Sequence, residues 1–100
     1  MPKLTPTKLF LKDIDQLKSD KKLWKKVMKT LAFVETNPLH PGLHIERIIN
    51  DPTAWSARVD KSIRLSFELQ KKHASGYPDW SGDILLLRLL NHDDLYKHPR

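Results

Sequence analysis

Residues 55–59 (Trp-Ser-Ala-Arg-Val) and 63–69 (Ile-Arg-Leu-Ser-Phe-Glu-Leu) alternate apolar and polar side chains, and only Asp60-Lys61-Ser62 separates them, which leaves one way to pair them. Successive side chains of a strand point to opposite faces, so Trp55, Ala57 and Val59 share one face, and Ile63, Leu65, Phe67 and Leu69 share one face of the next strand. Both sets turn inward across an antiparallel pair only when Val59 lies opposite Ile63. That requires the three-residue turn and excludes a two-residue one. The same register sets Arg58 directly opposite Arg64 on the other face. Like charges there disfavour the pair by roughly 0.2–1 kcal/mol, so something anionic must offset them. Asp60 and Glu68 on the same face are the ordinary answer, and a bound phosphate is the alternative.

Residues 83–92 (Asp-Ile-Leu-Leu-Leu-Arg-Leu-Leu-Asn-His) are apolar on both parities up to Arg88, which predicts a central strand covered on two sides. Leu85, Leu87 and Leu89 are expected to face the helices. Ile84, Leu86, Arg88, Leu90 and His92 then share the side of Arg58 and Arg64, so four cationic or titratable groups converge on one concavity. A helical turn over residues 93–96 would return Tyr96 one turn above His92. Each group also has a structural alternative: His92 capping the final turn with Asp94, Arg88 pairing with Asp83 or Asp93, and Tyr96 closing the edge of the core.

The first thirty residues carry nine lysines against Asp13, Asp15 and Asp20. Ser19 or Asp20 can cap a helix whose apolar positions Leu23, Val27, Leu31 and Val34 recur at spacings of four, four and three, with Trp24 and Met28 widening the stripe. This helix is expected to end near Asn37-Pro38. Lys22, Lys25, Lys26 and Lys29 fall on its solvent side, as a solvated face or a phosphate-binding surface. Upstream, residues 8–11 are expected to form a short first strand and residues 13–18 a short helix. His40 and His44 flank Pro41-Gly42, which breaks the helical spacing that would let them share a metal, and no third ligand is near in sequence. Both are assigned structural or surface roles. Trp24 and Trp55 are expected in the core, and Trp80, within the loop 70–82, as an exposed aromatic.

A chain of 100 residues fits one domain spanning residues 1–100. Its formal charge of +6 and pI near 9.7 attract polyanions, so RNA, DNA or an acidic protein is the expected partner. Cysteine is absent, which excludes disulfides, thiol nucleophiles and thiolate metal sites. The longest apolar run, residues 84–87, is far short of the roughly 20 residues a membrane helix needs, so a cytoplasmic protein without membrane contact is expected.

The motif Trp55-Ser-x-Arg58-Val-Asp-x-x-Ile-Arg64-Leu, preceded by His40-Pro-Gly-Leu-His44 and followed by Asn91-His-Asp-Asp-Leu-Tyr96, resembles the RelE-type toxin superfamily. The ending Arg88-x3-His92-x3-Tyr96 is similar to that of its YafQ branch, and the likeness covers residues 23–96. It implies an α+β fold of order βααβββ, with two N-terminal helices packed on a small twisted antiparallel sheet whose concave face binds messenger RNA in the ribosomal decoding site. Residue by residue, it implies that Arg64 holds the scissile phosphate, that Arg88 is the last-strand arginine, and that His92 and Tyr96 are the C-terminal acid or base and aromatic. Arg58 and Lys61 match further RNA-binding positions, to which the lysines 22, 25, 26 and 29 add. The loop 70–82 is longer than in compact members, which bears on substrate approach.

The implied chemistry is attack of a ribose 2′-hydroxyl on the adjacent phosphorus, needing neither metal nor cofactor. An imidazole with an ordinary pKa near 6.5 suits the proton transfer, and arginine forks suit the phosphorane charge. The implied partners are messenger RNA on the ribosome and a cognate acidic antitoxin, in a toxin–antitoxin hetero-oligomer. The ParE branch shares the fold but poisons DNA gyrase, so gyrase inhibition and non-catalytic RNA or antitoxin binding are the alternatives.

Overall fold

The hydroxyl of Thr7 accepts the Phe10 N–H at 3.2 Å and so starts a helix where a short strand was expected. In the computed structural model, which describes residues 3–49, 51–70 and 80–100, β1 (Leu4–Pro6) leads straight into α1 (Lys8–Leu17). Phe10 is fully buried and Ile14 and Leu17 pack beside it, whereas Leu9 and Leu11 are exposed. Residues 8–11 are therefore the first turn of α1 and not the expected strand. The spacing of four and three from Phe10 to Ile14 and Leu17 puts these residues on one helical face, which a strand over residues 8–11 would not.

The second helix, α2 (Lys21–Thr36), begins where the sequence predicts, with the Asp20 carboxylate accepting the Leu23 N–H at 3.1 Å, and ends at Asn37. Val27 and Val34 are buried, Leu23 and Leu31 pack against the core, and Lys22, Lys25, Lys26 and Lys29 are exposed. The apolar stripe is narrower than expected. Met28 is exposed, and Trp24 is half-buried outside the core clusters.

A 3₁₀ turn (Pro41–Leu43) leads into β2 (Glu46–Ile48), β3 (Asp51–Arg58), β4 (Ile63–Leu69), β5 (Ile84–Asn91) and α3 (His92–Lys97). The sheet order is β1-β5-β4-β3-β2, with β1 parallel to β5 and the other pairs antiparallel. The fold is thus α+β as expected, but its sheet is mixed: β1 joins as a parallel edge. Among the described residues no helix is long and apolar enough to cross a membrane. Of the loop 70–82, residues 71–79, with Tyr77 and Pro78, lie outside the described residues.

Strands β3 and β4 pair as the alternation dictates, with Trp55 opposite Phe67, Ala57 opposite Leu65 and Arg58 opposite Arg64. Asp60 locks the turn: its Oδ1 accepts the N–H groups of Ser62 at 2.9 Å and Ile63 at 2.7 Å. Burial alone would push this carboxyl up, but those amides hold it below the usual carboxylate range. Strand β5 departs from expectation. A bulge lies where Ser66 faces Arg88 but Phe67 faces Leu86, and the additional residue on β5 reverses its parity. Ile84 and Leu86 therefore join Phe67, Leu65 and Leu89 in the helix-side core, while Leu87 and Leu85 turn to the opposite face with Leu95 of α3. Trp80 packs on Trp55 and Phe67, with ring centroids 5.9 Å apart in each case. It is part of the core edge rather than an exposed loop aromatic.

Only the first part of β5 is covered by β1. Beyond it, the outer edge of β5 needs other partners for its backbone groups. Thr7 donates its N–H to Leu86 O at 3.0 Å and its hydroxyl to Leu87 O at 3.1 Å, and Asp13 Oδ2 accepts the Leu89 N–H at 2.9 Å. The same carboxylate takes Arg88 in a forked pair, Nε to Oδ2 at 2.8 Å and Nη2 to Oδ1 at 3.2 Å. Hydrogen bonding to Asp13, working against desolvation, raises the Arg88 pKa above its ordinary value. Arg88 therefore pairs with Asp13 on α1, and with neither Asp83 nor Asp93.

Removing one partner of a buried pair strands the other charge. Arg88→Ala or Asp13→Ala should each lower stability by about 3 kcal/mol, the low end of such losses because the Arg88 side chain is 18% exposed. The double variant should lose less than the sum, measured by urea unfolding; simple additivity would show that the two groups are uncoupled. The Asp60 lock has a pH signature. Because its folded pKa is depressed, its contribution is complete above the unfolded value of about 3.9 and is lost as pH falls through the lower folded value. The stability gap between the wild type and Asp60→Ala should therefore narrow below about pH 4.

Candidate active site

On the sheet face opposite α1 and α2, strand registers line up Glu46, Ser56, Ser66 and Arg88 across β2 to β5, and Arg58, Arg64 and Leu90 in the next row. The two serines at the centre are fully buried. Their small side chains let the C-terminal segment close on this face. Ser66 Oγ donates to Pro99 O at 2.7 Å, and α3 seats Leu95 against Ile48, Ala54 and Leu87.

The carboxylates expected to balance Arg58 and Arg64 are engaged elsewhere. Glu68 accepts Arg100 Nη2 at 2.9 Å and Gln70 Nε2 at 3.2 Å, and the Arg100 bond, outweighing burial, holds the Glu68 carboxyl below its usual range. Arg100 also pairs with Asp51. The Asp60 carboxylate is used by its own turn, while its carbonyl accepts Arg58 Nε at 3.2 Å. What remains is Arg64. Its Nε and Nη1 are buried and meet no hydrogen-bond partner among the described residues. A buried donor left unmade costs about 1–3 kcal/mol, more for a charged group, and a phosphate oxygen is an acceptor that suits a guanidinium N–H.

Helix α3 carries the other two candidates. Asn91 is its cap: Asn91 Oδ1 accepts the Asp94 N–H and Asn91 Nδ2 donates to Asp94 Oδ2, both at 2.9 Å. The capping duty considered for His92 therefore falls to its neighbour. The His92 ring meets Tyr96 edge to face with centroids 4.4 Å apart, its Nδ1 lies 3.5 Å from Asp93 Oδ1, and its side chain is 42% exposed. Tyr96 donates its hydroxyl to Glu46 Oε2 at 3.2 Å. Glu46, His92 and Tyr96, with Arg47, Ile48 and Ile49, line a cleft of about 440 Å³.

The structure thus brings His92, Tyr96 and Glu46 into one cleft, with Arg64 one row along the same sheet face. Arg88 does not join them, because Asp13 holds its guanidinium. Arg58 lies opposite Arg64 but lines a different cleft, with Lys26 and Lys29. Lys61 is exposed in the β3–β4 turn, and Lys22 and Lys25 are exposed on α2. Glu46 went unforeseen because residues 40–49 read from the sequence as a connector that turns on Pro41-Gly42 and extends toward the sheet; the shared parity of Glu46 and Ile48 was the available signal. Among the described residues, no three His, Cys, Asp or Glu side chains group as metal ligands.

No protein-family model and no curated protein matches the chain. Solved structures do match its fold. A YoeB/ParE toxin from Agrobacterium tumefaciens aligns with a TM-score of 0.71 at 14% identity, over 90% of this chain and 98% of that one. The YoeB dimer from Staphylococcus aureus aligns at 0.69 and 19% identity, over 91% and 97%. The E. coli DinJ-YafQ toxin-antitoxin complex aligns at 0.64 and 17% identity, over 94% and 96%. The fold is that of the RelE/ParE-type toxins.

Proposed function

We propose that this chain, folded as the RelE/ParE-type toxins are, is the toxin of a type II toxin–antitoxin pair and cuts messenger RNA on the ribosome. The observation that carries the proposal is the buried Nε and Nη1 of Arg64, without a partner among the described residues, on the sheet face that also presents Glu46, His92 and Tyr96. A phosphodiester is an anion that suits such a guanidinium beside acid–base groups.

In this reading Arg64 binds the scissile phosphate and stabilises the charge that accumulates on the phosphorane. Glu46 takes the proton of the ribose 2′-hydroxyl as its oxygen bonds to phosphorus. His92 donates a proton to the departing 5′-oxygen as the P–O5′ bond breaks. The products are a 2′,3′-cyclic phosphate and a free 5′-hydroxyl, and the proton balance closes without a metal. Tyr96, bonded to Glu46 and edge to face with His92, orients both groups. Arg88 becomes a positioning residue that ties β5 to α1 through Asp13. An acidic antitoxin segment laid over this face would neutralise Arg64 and cover the cleft, and association with ribosomes would place the activity in the cytoplasm.

Brief expression in a bacterial host should arrest growth and create new messenger RNA ends with 5′-hydroxyls. Arg64→Ala, His92→Ala and Glu46→Gln should each abolish arrest while the purified proteins unfold cooperatively. General acid–base groups contribute about a hundredfold to ten-thousandfold, so Glu46→Gln should slow cleavage in a ribosome assay by that range. Intact messenger RNA accompanied by DNA-damage signalling would instead assign the chain to gyrase.

A further inference from the structure

A second basic cleft, of about 340 Å³, opens on the helix side between α2, the 3₁₀ turn and the end of β3. Its apolar wall is recessed: Leu43 is 2% exposed, and Phe33 and Val59 are half-buried. Its rim carries Lys26, Lys29 and Arg58, both lysines exposed. Among the described residues no carboxylate lines it. Asp60, the acidic group that feels Lys26, already has its carboxylate held by the Ser62 and Ile63 amides. His40 stacks on Phe33 with centroids 4.4 Å apart, and its Nδ1 accepts the Gly42 N–H at 3.0 Å, which leaves Nε2 as an N–H donor in the neutral ring.

Arg58 connects this cleft to the candidate active site. Its Cα lies opposite that of Arg64, yet its Nε is anchored on Asp60 O and its side chain lines the α2 side. The Nη groups of Arg58 meet no partner among the described residues. A strand passing round the β3–β4 end of the sheet would meet Arg64 on one face and the trio of Lys26, Lys29 and Arg58 on the other.

We propose that this cleft binds a backbone phosphate of single-stranded RNA, flanking the phosphate held by Arg64. A recessed apolar wall under a rim whose charged groups, among the described residues, are Lys26, Lys29 and Arg58 suits a ligand recognised by charge. An amphipathic peptide would need an apolar stripe presented at the surface. The placement relative to the cut rests on the function proposed above; phosphate binding itself does not.

The test uses a fluorescently labelled, uniformly 2′-O-methylated decauridylate, which has no 2′-hydroxyl to react, titrated with the full chain across a salt series. Lys26→Gln/Lys29→Gln should weaken binding at least about fivefold at low salt and make the slope of log K against log salt shallower by about 0.7, the value of one single-strand phosphate contact. Arg58→Gln should give the same signature. Lys8→Gln/Lys12→Gln, exposed on α1 and outside the cleft, should leave the slope unchanged. Equal losses in both lysine pairs would reveal only a diffuse basic face and overturn the proposal, as would no loss in the cleft pair. Tighter binding of decaglutamate than of the oligonucleotide, lost in the cleft variants, would assign the cleft to an acidic protein and overturn it too. Cleavage is not read in this assay, so a chain that never cuts RNA still passes or fails it independently.

Discussion

Arg58 and Arg64 face each other next to the Val59–Ile63 bond that closes the β3–β4 ladder, at the kind of position where antiparallel Cα atoms approach to about 4.5 Å. The turn and the core fix that register, so the repulsion cannot be relieved by slipping. Divergence relieves it instead. Arg58 swings to the Asp60 carbonyl and the α2 side, and Arg64 stays with buried nitrogens on the other face. Other arginines take Asp13, paired with Arg88, and Asp51 and Glu68, paired with Arg100, while Glu46 accepts the Tyr96 hydroxyl. Arg64 is thereby left with guanidinium nitrogens that meet no partner among the described residues.

The bulge on β5 distributes the rest of the chain around that arginine. It lets a strand that is apolar on both parities supply Ile84, Leu86 and Leu89 to the helix-side core and Leu87 to the core under α3. It also brings Arg88 into register with Ser66 while Asp13 closes the β5 edge through the Leu89 amide. One carboxylate thus completes a sheet edge and neutralises a strand arginine. Such an aspartate is a poor signal in sequence, because on α1 it looks like one more surface charge.

The β3–β4 register was legible because two short-range rules, alternation and turn length, agree and leave no freedom. The α2 boundaries were legible for a similar reason, a capping aspartate at one end and Asn37-Pro38 at the other. The parity of residues 84–87 was not, since a bulge is invisible when both faces are apolar. The start of α1 was misread because Leu9, Phe10 and Leu11 are three apolar residues in a row, and only the Thr7 cap and the later Ile14 and Leu17 decide the period. Trp80 and Glu46 depend on pairings far along the chain, with Trp55 and with Tyr96, which no local pattern carries.

The candidate site itself is assembled from distant parts of the chain, and its geometry rests on how α3 is seated. A helix of six residues is not stable by its own hydrogen bonds. Asn91 starts it, and the full burial of Leu95 contributes roughly 1.5–3 kcal/mol toward fixing it on the sheet. Tyr96 lies next to that anchor, and His92 lies one turn before Tyr96, so both are placed over β2 by the same hydrophobic contact. The Tyr96–Glu46 bond then sets their rotation about the helix axis. Burial of one leucine and the position of His92 and Tyr96 are in this way a single structural event, and whatever lifts α3 from the sheet disperses the candidate site.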